Sequence, residues 1–280
     1  MSINKVFVDI IKKIEKRIRF DKIKNAFFPS NDEIDQDIRF DNFGVIQLAD
    51  ESIGIVYIAL SEEVREKAAQ FDVNDIIGKN PIEIAKNFIK SDLFQRCLAL
   101  GAINAITQSF FKKANFEYDF STNSLGLLDL VEYDKVGMVG YFPPLVKKIE
   151  KLNIPLVVIE KKKLEIETKE NWQITSDPSE LKSCTKILCT STTVLNDSID
   201  DILSYIKNAN KISMVGPTGG FIPDPVFQRG VDVLGGTYIE NPKLFMKLIR
   251  QNKKWGPSTK KYCIQAKNYP NYKMLMENIS

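Results

Sequence analysis

The sequence predicts an α/β protein: a Rossmann-like parallel sheet in the C-terminal part, preceded by a smaller α+β domain built from a β-hairpin and helices. Three observations predict it. From about Val136 to Leu248, short runs of β-branched residues and Leu alternate with helical stretches on short connections, the pattern of parallel strands joined by right-handed crossovers. Before them, two alternating apolar runs flank the turn Ala49-Asp50-Glu51-Ser52, as a hairpin requires. A chain of 280 residues is long for one core and comfortable for two, at roughly 150 residues per domain. The expected domains are residues 1–120 and 121–280, joined through the polar and aromatic stretch 113–134, which contains Ser121-Thr122-Asn123-Ser124.

Each element has its own signal. Val6, Phe7, Ile10, Ile11, Ile14 and Ile18 recur at helical spacing with Lys and Arg opposite, so a first helix packs on its own domain. Phe43–Leu48 and Ile53–Leu60 read as strands, and alternation at Ile53, Ile55, Tyr57 and Ala59 suits a half-buried sheet. Pro81 opens a short helix through Ile89, and Ser91 begins a longer one carrying Leu93, Phe94, Cys97, Leu98, Gly101, Ile103 and Ile106. Asn104 lies inside that helix, either solvated or bonded to local backbone, or with its amide in an interdomain cleft.

In the second half the strands are Val136–Val139, Ile154–Ile159, Lys186–Thr190, Ile212–Val215 and Val231–Leu234, with an edge strand near Tyr262–Gln265. A helix opens at Pro143-Pro144 with Leu145, Val146, Ile149 and Leu152 inward. Another starts near Asp197, capped by Asn196 or Asp197, with Ile199, Ile202, Leu203 and Ile206 inward. Asp224-Pro225 caps and starts a short helix that Gly230 stops, and Asn241-Pro242 opens the last clear one. The final ten residues are expected to be loose.

Composition narrows function. The chain has no histidine, which removes Ser-His-Asp and Cys-His nucleophile systems and every His-containing metal site. Cys97, Cys184, Cys189 and Cys263 form no Cys-x-x-Cys pair, so free buried thiols are expected and no protein metal site is assigned. The net charge of +3 is interleaved rather than striped, so nucleic acid is not an expected partner. No apolar run reaches a membrane span of about 18 residues, and the N-terminus is broken by Lys5, Asp9, Lys12 and Lys13, unlike a secretory signal. Cytoplasmic residence is the expectation, and homodimerisation follows from symmetry base rates.

Ligands of open α/β sheets sit outside the carboxyl ends of the strands, which selects loops beginning at Gly140, Glu160, Thr190 and Gly216. The first, Gly140-Tyr141-Phe142-Pro143-Pro144, lacks a glycine-rich turn and has two prolines without N–H groups, so it does not suit NAD or FAD pyrophosphate. Tyr141 and Phe142 offer an aromatic wall for a planar ligand, or packing against the other domain. Glu160 stands where nucleotide-binding domains place an acid for ribose; beside Lys161, Lys162 and Lys163 it equally suits a solvated loop. Thr190-Ser191-Thr192-Thr193 clusters four hydroxyls fit for an oxyanion or a hard cation, or for local turns. Gly216-Pro217-Thr218-Gly219-Gly220 permits close backbone approach to a ligand, or serves turn geometry.

These motifs in order, Val136 to Pro144, Val158-Ile159-Glu160, Thr190 to Asn196, Gly216-Pro217-Thr218 and Gly230 to Gly235, resemble a two-domain family labelled "putative heavy-metal chelatase". Its members join a Rossmann-like C-terminal domain to an N-terminal domain similar to that of the enolases, and the Gly44–Ala59 hairpin with Ala102-Ile103-Asn104-Ala105 resembles that second unit. The resemblance implies an interdomain cleft faced by Asn104, Tyr141, Phe142, Glu160, Thr190, Thr193 and Thr218. Gly219-Gly220 departs from the Ser/Thr-Pro more usual there. The expected function is binding of a small polar or anionic molecule, a metal chelate or its precursor included. The alternative is a nucleotide- or S-adenosylmethionine-binding enzyme using Glu160 as acid, base or ribose ligand. No cofactor is identified, and catalysis stays open.

Overall fold

The computed structural model describes residues 1–29, 42–121, 125–161 and 171–279. Thr122, Asn123, Ser124, Lys162 and Lys163 lie outside the described residues.

Two sheets organise the chain. The first is antiparallel, in the order β1 (Ile23–Phe27), β2 (Phe43–Leu48), β3 (Ile53–Tyr57). Helices α1 (Ile3–Glu15), α2 (Glu62–Ala69), α3 (Pro81–Ala85) and α4 (Leu93–Lys113) accompany it. The second sheet has seven strands in the order β10-β9-β8-β7-β4-β5-β6. These are β4 (Val136–Val139), β5 (Leu156–Ile159), β6 (Trp172–Thr175), β7 (Lys186–Thr190), β8 (Lys211–Val215), β9 (Val233–Ile239) and β10 (Thr259–Gln265). Every neighbouring pair is parallel except β9 with the edge strand β10. The connecting helices are α5 (Pro143–Lys151), α6 (Thr192–Leu195), α7 (Ile199–Tyr205), α8 (Asp224–Phe227) and α9 (Pro242–Arg250), and α10 (Asn271–Glu277) closes the chain. The fold class is therefore the one expected: mixed α/β with a mostly parallel sheet and a separate small antiparallel one.

Helix α4 is the spine. It is buried on nearly every side, because one face receives β2 and β3 and the other meets α3 and α6. Backbone approach makes this possible. A side chain at Gly54 would place its Cβ 2.0 Å from the Gly101 carbonyl oxygen, so strand and helix touch main chain to main chain. One apolar cluster runs from Phe7 and Ile11 of α1 through Ile103 and Ile106 of α4 to Ile187, Met214 and Leu234 of the large sheet. The opposite face of that sheet packs Val136, Met138, Val158 and Leu188 against Val146 and Ile149 of α5.

Several expectations are corrected. The hairpin sheet is covered on both faces: Val45, Ile53 and Ile55 pack on Phe245, Ile249 and Trp255, while Ile46 and Val56 pack towards α4. Edge strands β1 and β6 were not foreseen, since Ile23-Lys24-Asn25-Ala26-Phe27 and Trp172-Gln173-Ile174-Thr175 carry too few apolar positions for a sequence signal. Helix α4 begins at Leu93 rather than at Ser91, capped by Asp92, whose carboxylate accepts the Gln95 N–H. Asp197 caps nothing; at φ +61° it accepts from Arg96 and from Asn4. Asp224 does not cap its own helix but accepts the Tyr269 hydroxyl and the Tyr272 N–H, which anchors α10 where a loose end was expected. Leu152 ends α5 in solvent, 53% exposed. Among the described residues no helix is long and apolar enough to cross a membrane.

Candidate functional site

The carboxyl ends of β4, β5, β7 and β8 open into one cleft of about 320 Å³, closed on its other side by Phe43, Tyr57, Ala59 and Leu60 of the hairpin region. Of the residues singled out from sequence, the structure brings Gly140, Tyr141, Phe142, Glu160, Thr190, Thr193, Gly216 and Thr218 to its lining. Asn104 alone is elsewhere.

Each loop is shaped by a local requirement. Gly140 leaves β4 at φ +87°, and a Cβ there would lie 3.1 Å from the Thr190 methyl. Gly216 leaves β8 at φ +139° with the Ser191 hydroxyl 2.7 Å from where a Cβ would sit. Only glycine takes such a backbone without strain while neighbouring loops approach so closely. Phe142 then precedes Pro143 and Pro144, the first residues of α5. With two N–H donors missing from that first turn, it is not a phosphate cradle.

The polar groups divide into those tied within the fold and those facing the hollow. Thr193 is buried and donates to the Thr190 carbonyl at 2.8 Å. Thr190 and Thr192 share a hydroxyl hydrogen bond at 2.5 Å, and the Thr192 N–H donates to the Thr190 Oγ1 at 3.3 Å. Ser191 lines the cleft beside them, while its N–H donates to the Val215 carbonyl. Thr218 accepts the Tyr57 N–H on its Oγ1 at 3.0 Å. Glu160 accepts the Tyr141 N–H at 3.1 Å, so one of its oxygens holds the first loop in place. Lys161 adds a positive charge at the exposed mouth.

Asn104 is fully buried, and its amide donates to the Ile55 carbonyl at 2.7 Å and to the Thr218 carbonyl at 2.9 Å. Of its readings from sequence, a solvated side chain is excluded by burial, and a bond to backbone holds with distant rather than local partners: Asn104 does not line the cleft but stitches the hairpin to the fourth loop. The missed lining residues were Phe43, Tyr57, Ala59 and Leu60 of the hairpin region, Lys161, and Asn196, Ser198 and Ile202 beyond the third loop. Nothing local in a strand end announces which sheet it will face.

The donor set does not fit a bare soft metal. Among the described residues no three Cys, Asp or Glu side chains gather where an ion could sit. Burial pushes the Cys97 and Cys189 thiols up to about 12 and also raises Cys184, whereas a thiolate is the form that ligates metal.

A family model described as "Putative heavy-metal chelation", DUF364, matches residues 123–267, just over half of the chain. The chain belongs to the DUF364 family. A curated relative, the uncharacterized protein MJ0500 of Methanocaldococcus jannaschii, is 29% identical over 220 residues, covering 75% of this chain and 81% of that one. A crystal structure of a DUF364 protein of unknown function from Pyrococcus horikoshii superposes with a TM-score of 0.68 at 19% identity, over 92% of this chain and 99% of that one. Another, from Desulfitobacterium hafniense, gives 0.66 at 16% identity, over 94% and 98%. At such identities the likeness concerns the fold alone. It covers nearly the whole chain.

Proposed function

We propose that the strand-end cleft of this DUF364 protein binds a small polar or anionic molecule, with metal chelates and free chelators among its ligands. The observation that carries this reading is convergence: hydroxyls of Thr190, Ser191 and Thr192 and the cation of Lys161 line the same hollow as the aromatic pair Tyr141 and Phe142. Hydroxyls and a lysine complement oxyanions, and aromatic faces complement flat ligands. A volume near 320 Å³ is at the lower end of the roughly 300–1,000 Å³ of ligand sites, which favours a compact molecule over a dinucleotide. Metal enters such a cleft already wrapped by an organic chelator, since the described protein groups supply no cage.

The test is thermal denaturation and titration calorimetry with inorganic phosphate, citrate, nickel citrate and bare nickel. Ligand at 100 times its dissociation constant should add about 2.7 kcal/mol of stability. Phosphate, citrate and nickel citrate are expected to bind, and Thr190→Val and Lys161→Glu each to weaken binding about tenfold. Bare nickel is expected to leave the melting temperature unchanged. Tight binding of bare nickel alone, or silence from every anion, removes the reading.

A further inference from the structure

Beside the cleft lies a second hollow of about 280 Å³ with fewer polar groups, lined by Leu145, Val215, Gly235, Thr237 and Cys263, with Lys261 among its walls. Phe142, Gly216 and Pro217 are walls of both. We propose that the two hollows form one bipartite site, which takes a molecule whose anionic head lies among the Thr190–Thr192 hydroxyls and whose flat apolar body crosses the Gly216-Pro217 turn into the second hollow. This rests on the reading of the cleft as an anion site and adds the class of ligand: an amphipathic anion bearing a ring system.

The second hollow is a gap in the layering of the sheet. Strand side chains alternate between faces. On β8, Val215 belongs to the face that α5 covers, whereas Met214 points towards the α4 core. Gly235 lies beside Val215 in the parallel register and opposite Cys263 in the antiparallel one. A Cβ on Gly235 would reach the Val215 Cγ1 at 3.1 Å and the Cys263 Sγ at 3.5 Å, so with glycine there the Val215 and Cys263 side chains close in as the floor of the hollow. Helix α5 packs over β4, β5 and β7 on this side, and Val215 of β8 lies at the margin of that packing. The apolar floor therefore continues from the cleft wall with only the start of α5 and Gly126 above it.

Size and chemistry support a shared occupant. Each hollow alone is near the floor of the usual range for ligand sites, whereas the two joined across Phe142 sit well inside it. An ordinary ligand site is mostly apolar with a few fixed polar groups. The cleft sets its hydroxyls and Lys161 beside an apolar wall, and the second hollow continues that wall past Phe142 and Pro217.

A matched pair of probes tests the idea on the full chain: inorganic phosphate, and 1-naphthyl phosphate, which carries the same head on a flat apolar body. Calorimetric titration should give 1-naphthyl phosphate at least tenfold tighter. Val215→Phe and Thr237→Phe, which fill the second hollow from different strands, should each abolish that advantage and leave phosphate affinity within twofold of wild type. Thr190→Val should weaken both probes. Equal affinity for the two probes, or an advantage that survives both filling variants, overturns the bipartite site while the anion cleft stands. Absence of binding by both probes overturns the cleft and the bipartite site together. Sedimentation equilibrium guards the remaining case: if the filling variants change the association state, the hollow belongs to a second copy of the chain and the proposal falls.

Discussion

Strand β3 carries two seams that differ in kind. Along Gly54 and Val56 it meets α4 tightly packed and dry, with backbone almost touching backbone and the Asn104 amide, bonded to the Ile55 carbonyl, as the polar group in the seam. One residue further on, Tyr57 turns to Thr218 and the polar cleft. The dry seam has one arrangement, because close-packed main chain cannot slide without collision. The polar seam is held by a few hydrogen bonds around space left for something else. The first seam fixes where the hairpin stands, and so makes it a usable wall for the second.

The largest expected effect breaks the dry seam. Gly54→Val puts a branched side chain where even a Cβ would be 2.0 Å from the Gly101 oxygen and 2.5 Å from the Ala105 nitrogen. Relief would require moving the backbone, so a loss of about 3 kcal/mol or more in urea unfolding is expected. Gly101→Ala is the companion: its Cβ would meet only the tips of Ile46 and Val56 at 3.3 Å. That cost should stay below about 1.5 kcal/mol. Similar losses for the two would mean that the seam is looser than its geometry.

Asn104 joins the seams. Asn104→Leu leaves the Ile55 and Thr218 carbonyls without their buried donor, at a cost of roughly 1–3 kcal/mol. It also unfastens Thr218 from beneath the cleft. Phosphate affinity should therefore fall in this variant, although residue 104 does not line the site. An unchanged affinity would separate the two seams functionally.

The sequence made the parallel half legible because its strands are continuous apolar runs, as at Ile187-Leu188-Cys189 and Leu156 to Ile159. The strand-end rule then located most of the cleft without family knowledge. Edge strands were illegible because one side of their pairing is missing and their composition is mixed, as at Lys24 and Asn25 of β1. Asn104 was misread for a different reason: its two partners lie 49 and 114 residues away. Asp197 and Asp224 look like caps from local sequence, yet their carboxylates are engaged by Arg96 and by Tyr269. Local grammar predicts local partners, and these residues have distant ones.

Two carboxylates sharpen the contrast through pH. Asp92 accepts from Lys67 and from the Gln95 N–H, which hold its carboxyl below the usual range. A depressed folded value contributes stability above the unfolded pKa of about 4, and that contribution is lost as pH falls through the folded value. Asp92→Ala should cost about 1 kcal/mol at neutral pH, with the gap from wild type closing in acid. Burial raises Asp224 instead, against the opposing hydrogen bonds from Tyr269 and Tyr272. A raised folded value contributes stability below the unfolded pKa and loses it as pH rises through the folded one. Wild type should thus gain on Asp224→Asn as pH falls, the reverse of the Asp92 trend. Parallel slopes in denaturation from pH 3 to 8 would contradict the two environments.

The smallest stability change is expected at the polar seam itself, and it separates positioning from proton transfer at Glu160. The Tyr141 N–H needs an acceptor at this position, and the amide oxygen of glutamine supplies one. Glu160→Gln should therefore fold within about 0.5 kcal/mol of wild type, whereas Glu160→Ala, with water as the only replacement at a half-buried site, should lose up to about 1 kcal/mol. Binding should move the other way. Removing a negative charge from a cleft that takes anions is expected to raise phosphate affinity roughly twofold to fivefold in Glu160→Gln, less at high salt. Should affinity fall instead, the carboxylate would be in contact with a ligand donor or proton, and Glu160 would count as a reacting group rather than the brace of the first loop.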